Sequence, residues 1–311
     1  MEVKNWTYEE FPEFTEAVEG AQIIETTGDE IGTMYLHDVE YRTTGDAPLK
    51  LQILIPACRN KNYDRMAEKQ SFAYPCVVFV QGSAWMEQYV YMKLADLGRL
   101  AKRGFVCAIV EYRHSGIASF PAQAVDALNA IRYLRQNAGK YGIDPEKIVV
   151  AGDSSGGHTA MWAGLLHNDE TEHNHYPGVS GEVKGIIDYY GSTSVMAPDS
   201  NPIQINHCLP ESPEGRVMGG QNLLEHPELA RALSVECNID ENTKLAPVLI
   251  FHGTKDRVVN CKGSVILYSR LKETGHPVDF YLIKGADHGG SEFWTEQVLD
   301  IVESFIRKCV E

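Results

Sequence analysis

The residues in this chain best placed for covalent chemistry are Gly152-Asp153-Ser154-Ser155-Gly156, a G-x-S-x-G pentapeptide between the apolar run Ile148–Ala151 and the helix-like stretch His158–Leu166. A serine between a strand and a helix occupies a tight turn with strained backbone angles. The flanking glycines let neighbouring backbone approach where a Cβ would collide. The hydroxyl then stands at the carboxyl edge of a sheet, and the positive end of the following helix favours the negative charge that develops when an oxygen nucleophile attacks a carbonyl. Alone, the pentapeptide also describes an ordinary turn; its place between strand and helix favours the nucleophile.

A serine hydroxyl is a weak nucleophile until a base takes its proton, so the same chemistry needs a histidine and a carboxylate to orient it. His288, within Gly285-Ala286-Asp287-His288-Gly289-Gly290, follows the apolar run Val278–Ile283, and Asp256, within His252-Gly253-Thr254-Lys255-Asp256, follows Pro247–Phe251. Loops after parallel strands open on one sheet edge, where residues distant in the chain can meet. A developing oxyanion also needs backbone N–H donors. Ser155 and the loop Gln81-Gly82-Ser83-Ala84-Trp85, behind the run Cys76–Val80, fit those positions, with a plain turn as the competing reading.

Trp85 and Tyr112 each follow a strand and are candidates to line an acyl or alcohol pocket, with aromatic core packing the equal alternative. Asp287 reads as a turn cap rather than a modulator of His288. His158 reads as a helix residue near the site that need not react. The acidic, histidine-containing run His167–His175 reads as a solvated loop rather than a metal site.

These residues need a scaffold, and the chain supplies a rhythm for one. Short apolar runs, Cys76–Val80, Phe105–Val110, Ile148–Ala151, Gly185–Tyr190, Pro247–Phe251 and Val278–Ile283, are mostly separated by stretches with helical periodicity. That alternation predicts a mainly parallel sheet covered by helices on both faces. Thr33–Tyr41 and Leu49–Ile55, around Thr44-Gly45-Asp46, predict an antiparallel pair at the sheet edge. The best helix runs over Pro121–Lys140, with Val125, Leu128, Ile131 and Leu134 on one face and Gly142 beyond its end. Between Gly191 and Lys244 the rhythm breaks into a Pro/Asn/Ser-rich stretch with a short helix near Leu223–Leu233, read as a lid or pocket wall inserted into a single domain spanning 1–311.

The 311 residues are 43% hydrophobic and 23% charged, enough for a sizeable core, and the formal net charge of -15 disfavours nucleic acid and anionic lipid surfaces as partners. MEVKNWTYEEFPEF has neither a basic start nor an apolar run, and no apolar stretch approaches the ~18 residues of a membrane span, so the expectation is a cytoplasmic protein. Seven scattered cysteines without a C-x-x-C pair read as free thiols, with no structural metal or disulfide framework. No cofactor motif is evident.

Taken together, Tyr112-Arg113, Phe120-Pro121-Ala122-Gln123, Asp126, Tyr141-Gly142-Ile143-Asp144-Pro145, Gly152-Asp153-Ser154, His252-Gly253, Lys284-Gly285 and His288-Gly289-Gly290 resemble the esterase/lipase branch of the α/β-hydrolases, which includes hormone-sensitive-lipase-like enzymes and bacterial feruloyl and acetyl esterases. The resemblance covers nearly everything after residue 35 and implies the α/β-hydrolase fold. It also implies Ser154 as nucleophile, His288 as general base, Asp256 as its orienting acid, and the N–H groups of Ser83, Ala84 and Ser155 as oxyanion donors. The implied substrate is a small ester, with acetyl or feruloyl esters of plant-derived carbohydrates as the family-level expectation. Two positions depart from the family pattern: its His-Gly-Gly reads Gln81-Gly82-Ser83 here, and the alanine usual after the nucleophile is Ser155. An amide or peptide hydrolase and a non-catalytic ligand-binding protein are the alternative readings. Homo-oligomerisation stays open at this stage.

Overall fold

The computed structural model describes residues 4, 6–7, 10–44, 47–58, 73–168, 174–196 and 204–311. The apolar runs become the strands β1 (Ile31–Thr44), β2 (Ala47–Cys58), β3 (Tyr74–Val80), β4 (Val106–Val110), β5 (Ile143–Asp153), β6 (Ile186–Tyr189), β7 (Val248–Gly253) and β8 (Val278–Ile283). They form one eight-stranded sheet in the order β1-β2-β4-β3-β5-β6-β7-β8. β1 with β2 and β2 with β4 are antiparallel, and every pairing from β4 across to β8 is parallel. The predicted edge pair is therefore present, though its strands run longer than expected; Gly45 and Asp46 at its turn lie outside the described residues.

The helices are α1 (Leu94–Ala101), α2 (Ala122–Gln136), α3 (Ala138–Tyr141), α4 (Ser155–Leu165), α5 (Pro213–Val217), α6 (Pro227–Leu233), α7 (Cys261–Glu273) and α8 (Glu296–Val310). The alternation of side chains along β3 explains the layers. Cys76, Val78 and Val80 pack toward α2, α4 and α7, whereas Val77 and Phe79 pack toward α1 and α8. With both faces covered, the central strands contain continuous apolar runs rather than polar alternation.

The helix expected over Pro121–Lys140 is interrupted at Asn137, which separates α2 from α3 and whose Nδ2 donates to Tyr133 O at 2.8 Å. Gly142 ends α3 at φ 64°, a left-handed conformation that glycine adopts without a Cβ penalty. Among the described residues, no helix is long and apolar enough to cross a membrane.

Between β6 and β7 lie α5, α6 and a 3-10 turn, Val235–Asn238. Residues 197–203 of this segment are outside the described part of the chain. Val217, Leu223, Ala230 and Leu233 of the segment gather around Trp85 in a small core of their own. The carbonyl of Leu233 accepts hydrogen bonds from His158 Nε2 at 2.8 Å and Trp162 Nε1 at 3.2 Å, both from α4. The end of α6 is thereby fastened to the helix that follows the G-x-S-x-G turn.

Candidate active site

The turn from β5 into α4 holds Ser154 at φ 54° and ψ -125°, a conformation that L-residues rarely adopt. The glycines make room for it: a Cβ on Gly152 would come within 2.2 Å of Gly156 O, and one on Gly156 within 2.0 Å of Val80 O. The Ser154 N–H donates to Tyr189 O at 2.9 Å, linking the turn to the end of β6. The strained serine, helix start and close backbone contacts expected of the pentapeptide are all present.

His288 and Asp256 arrive from the loops after β8 and β7. His288 Nε2 lies 2.8 Å from Ser154 Oγ, and His288 Nδ1 lies 2.8 Å from Asp256 Oδ2. The three predicted side chains thus form a continuous hydrogen-bonded chain. In such an arrangement a carboxylate fixes the imidazole tautomer, leaving the opposite nitrogen to take the serine proton.

Asp256 is held by more than His288. Its Oδ1 accepts the N–H groups of Val258 at 2.9 Å and Val259 at 2.8 Å, and its Oδ2 also faces His252 Nε2 at 3.1 Å. His252 is completely buried, with Nδ1 2.8 Å from Ser264 Oγ. Burial of Asp256 works to raise its pKa, but hydrogen bonds from His252 and His288 outweigh that and hold the carboxyl well below the usual range. It remains a carboxylate able to balance an imidazolium.

The loop after β3 differs from its expectation at Ser83. The Ser83 N–H, expected as an oxyanion donor, instead donates to Ser155 Oγ at 2.9 Å, and the Trp85 N–H donates to the same oxygen at 3.1 Å. The hydroxyl at the position where the family usually has alanine accepts both, so the two departures from the family pattern meet in one contact. Between them, Ala84 at φ 55° and Trp85 at φ 53° are strained. The N–H groups of Ala84 and Ser155 make no hydrogen bond among the described residues. Gly82 lies against the elbow, its N–H donating to Asp153 Oδ1 at 2.7 Å.

Trp85 and Tyr112, candidates to line a pocket, are instead buried, at 1% and 2% exposure. Trp85 packs edge-on to His158 with ring centroids 5.1 Å apart, and Tyr112 OH reaches Ser83 Oγ at 3.0 Å and Gln81 O at 3.2 Å. Both rings support the loop from behind, since they are large enough to fill the space that its small residues leave. His158 is neutral, its pKa pushed down to about 4 by burial. Asp287 does act as a turn cap, accepting the N–H groups of Arg257 at 3.0 Å and His288 at 2.8 Å. Of the run His167–His175, residues 169–173 lie outside the described residues.

Comparison with known proteins decides the family. The BD-FAE family model matches residues 64–271, a span that includes Ser154 and Asp256. The chain belongs to the BD-FAE family. Esterase LipC of Mycobacterium tuberculosis is 31% identical over 218 residues, covering 69% of this chain and 53% of that protein. The chain spans about half the length of the curated relatives it matches first. Among solved structures, a truncated carbohydrate esterase from gut microbiota superposes with a TM-score of 0.75 at 26% identity, covering 92% of this chain and 98% of the other. Propionate-bound esterase Est2 of Thermogutta terrifontis superposes with a TM-score of 0.66 at 23% identity, covering 91% and 94%, which supports the shared α/β-hydrolase fold.

In this BD-FAE-family chain the site contains residues to which sequence reading gave no role. His252, four positions before Asp256, was visible only as half of a His-Gly pair. Asp153, beside Ser154, accepts from Gly82 N–H and from Tyr190 OH at 3.2 Å, and Tyr190 packs edge-on to His288 at 4.9 Å. Asp153 therefore links the loop after β3 to the histidine side of the site. Asp188, fully buried on β6, accepts Gly191 N–H at 2.9 Å and has its pKa raised to about 7 by burial, which that hydrogen bond offsets only in part. On the β6–β7 side of the sheet edge, a cavity of about 340 Å³ is walled by Gly191–Met196, Leu223, Leu224 and Val259 among others. The segment between β6 and β7 thus supplies part of a cavity wall.

Proposed function

We propose that this chain is a serine carboxylesterase that hydrolyses small or short-acyl esters through an acyl-enzyme. Ser154 Oγ attacks the ester carbonyl as its proton passes to His288 Nε2, and Asp256 stabilises the resulting imidazolium. The oxyanion of the tetrahedral intermediate is received by the N–H groups of Ala84 and Ser155, with the start of α4 adding its positive end. Collapse breaks the bond to the alcohol oxygen, which takes the proton from His288. Water then attacks the acyl-enzyme with His288 again as base, and Ser154 is regenerated.

The observation that carries this reading is the unbroken chain from Ser154 through His288 to Asp256, at 2.8 Å and 2.8 Å, on a strained turn. The likeness to LipC and to a carbohydrate esterase supports an ester as substrate; acetyl or feruloyl esters of plant-derived carbohydrates are the class to test.

Initial rates on p-nitrophenyl esters from acetate to decanoate, with the Ser154→Ala protein as blank, test the proposal. Turnover confined to the parent and highest for short chains is expected. Equal rates in parent and blank, or none at any chain length, contradict it.

A further inference from the structure

We infer that the His207–Glu214 pair, in the segment between β6 and β7, is a positioning device that holds Asp256 in place through the backbone of Val258. This rests on the esterase reading above. Asp256 Oδ1 is fixed by the Val258 and Val259 N–H groups, so the orientation of the Val258 peptide units bears on where the carboxylate points. The carbonyl of Val258 accepts from His207 Nε2 at 2.7 Å, and the adjacent carbonyl of Arg257 accepts the Gln204 N–H at 2.9 Å. Two consecutive carbonyls of the turn carrying the acid are therefore gripped by the same outside segment.

His207 Nδ1 lies 2.7 Å from Glu214 Oε2, with the side chains 16% and 1% exposed. A bare ring nitrogen and a carboxylate oxygen repel at that distance, so the contact is attractive, as an ion pair, only when His207 carries a proton on Nδ1. Nε2 needs a second proton to donate to Val258 O. The other oxygen of Glu214 accepts Ser192 Oγ at 2.6 Å, two residues beyond Tyr190, whose ring packs on His288. A buried carboxylate costs desolvation energy that a space-filling residue would avoid, and here it aims the histidine at the turn.

The groups facing His288 are Asp256, Ser154 and the Tyr190 ring; the Asp287 side chain accepts its backbone N–H, and Asp153 acts on it electrostatically. Of these, only Asp256 sits on the turn that His207 grips. A carboxylate displaced from Nδ1 stabilises the imidazolium less, so loss of the grip should disfavour the steps in which His288 holds the proton taken from Ser154.

The test uses the full chain with His207→Ala, His207→Gln and Glu214→Gln, each checked by thermal melting. On p-nitrophenyl acetate, His207→Ala should lower kcat about tenfold with KM changed less than about twofold, and should move the acidic limb of kcat/KM to lower pH. His207→Gln, whose amide can still donate to Val258 O, should recover most of the rate. Glu214→Gln keeps the size of the side chain and should shift the limb in the same direction, which covers an alanine variant that melts early. Folded variants with unchanged kcat and limb, an effect on KM alone, or glutamine as poor as alanine would overturn the inference. Should the parent lack Ser154-dependent turnover, the esterase reading fails. The NMR signal of the His288 Nδ1–H, which Asp256 holds at 2.8 Å, still decides the role of the pair: its upfield shift or loss in His207→Ala supports the inference, and an unchanged signal sinks it.

Discussion

The two halves of the candidate site are built differently. Around Asp256, four donors converge on one carboxylate, from the N–H groups of Val258 and Val259 and the rings of His288 and His252. Across the elbow, the loop after β3 holds Ala84 and Trp85 at positive φ, and a single hydroxyl, that of Ser155, takes the N–H groups on either side of Ala84. The acid half is stabilised by several interactions that reinforce one another, whereas the loop half stores strain, and the N–H groups on either side of Ala84 depend on one acceptor. A site assembled this way should lose most of its acid-base function only when Asp256 or His288 is removed, and loss of an outside group such as His207 should lower it only about tenfold. Its oxyanion function should be sensitive to changes in groups that never touch substrate.

Substitutions can sharpen or break that contrast. Ser154→Ala should lower kcat by about 10⁶ with the melting curve unchanged, as nucleophile removal does where the remaining groups no longer act together. Asp256→Asn should cost about 10⁴, because an amide no longer enforces the tautomer that presents a bare Nε2 to Ser154. Gly82→Ala should cost about 10²–10³, since its Cβ would come within 2.4 Å of Asp153 O and push the loop with its donors off the elbow. Ser155→Ala should lower kcat about tenfold through loss of the anchor on both sides of Ala84. A rise in rate instead would mean that the released Ser83 N–H is the better donor, and the contrast between the halves would reverse.

The smallest effect is one of stability. Asp188 has a folded pKa of about 7, above the usual carboxyl range, so the folded state binds that proton more tightly than the unfolded chain. The stabilisation is present at low pH and is lost as pH rises from about 4 through about 7. Between about pH 5 and about pH 8, the parent melting temperature should fall more than that of Asp188→Asn. Equal falls would contradict this account of the buried carboxyl.

Much of the frame was legible because it depends on patterns the chain repeats. The apolar runs at Cys76–Val80 and Val278–Ile283 became strands, and Ser154, Asp256 and His288, which meet in the structure, are side chains whose identity is written in the sequence. The break at Asn137 was not legible, since the helical period of Val125, Leu128, Ile131 and Leu134 gives no sign of it. Trp85 and Tyr112 look alike in sequence whether they face a ligand or support a loop, and only packing distinguishes the two. The diversion of the Ser83 N–H was hidden for a deeper reason. Oxyanion donors are backbone groups, present at every residue, and their direction depends on local φ and ψ and on an acceptor 72 positions away. His207 and its effect on the Val258 peptide were equally hidden, because nothing in the spacing of His207, Glu214 and Val258 announces that they meet.

The most direct test of the central claim is to label the protein with an alkyl fluorophosphonate, which reacts with an activated serine, and to locate the adduct by mass spectrometry of the digested chain. The account predicts a single adduct on Ser154 in the parent, none in Ser154→Ala and almost none in His288→Ala. Labelling at another serine, or of Ser154 at an undiminished rate without His288, would contradict it.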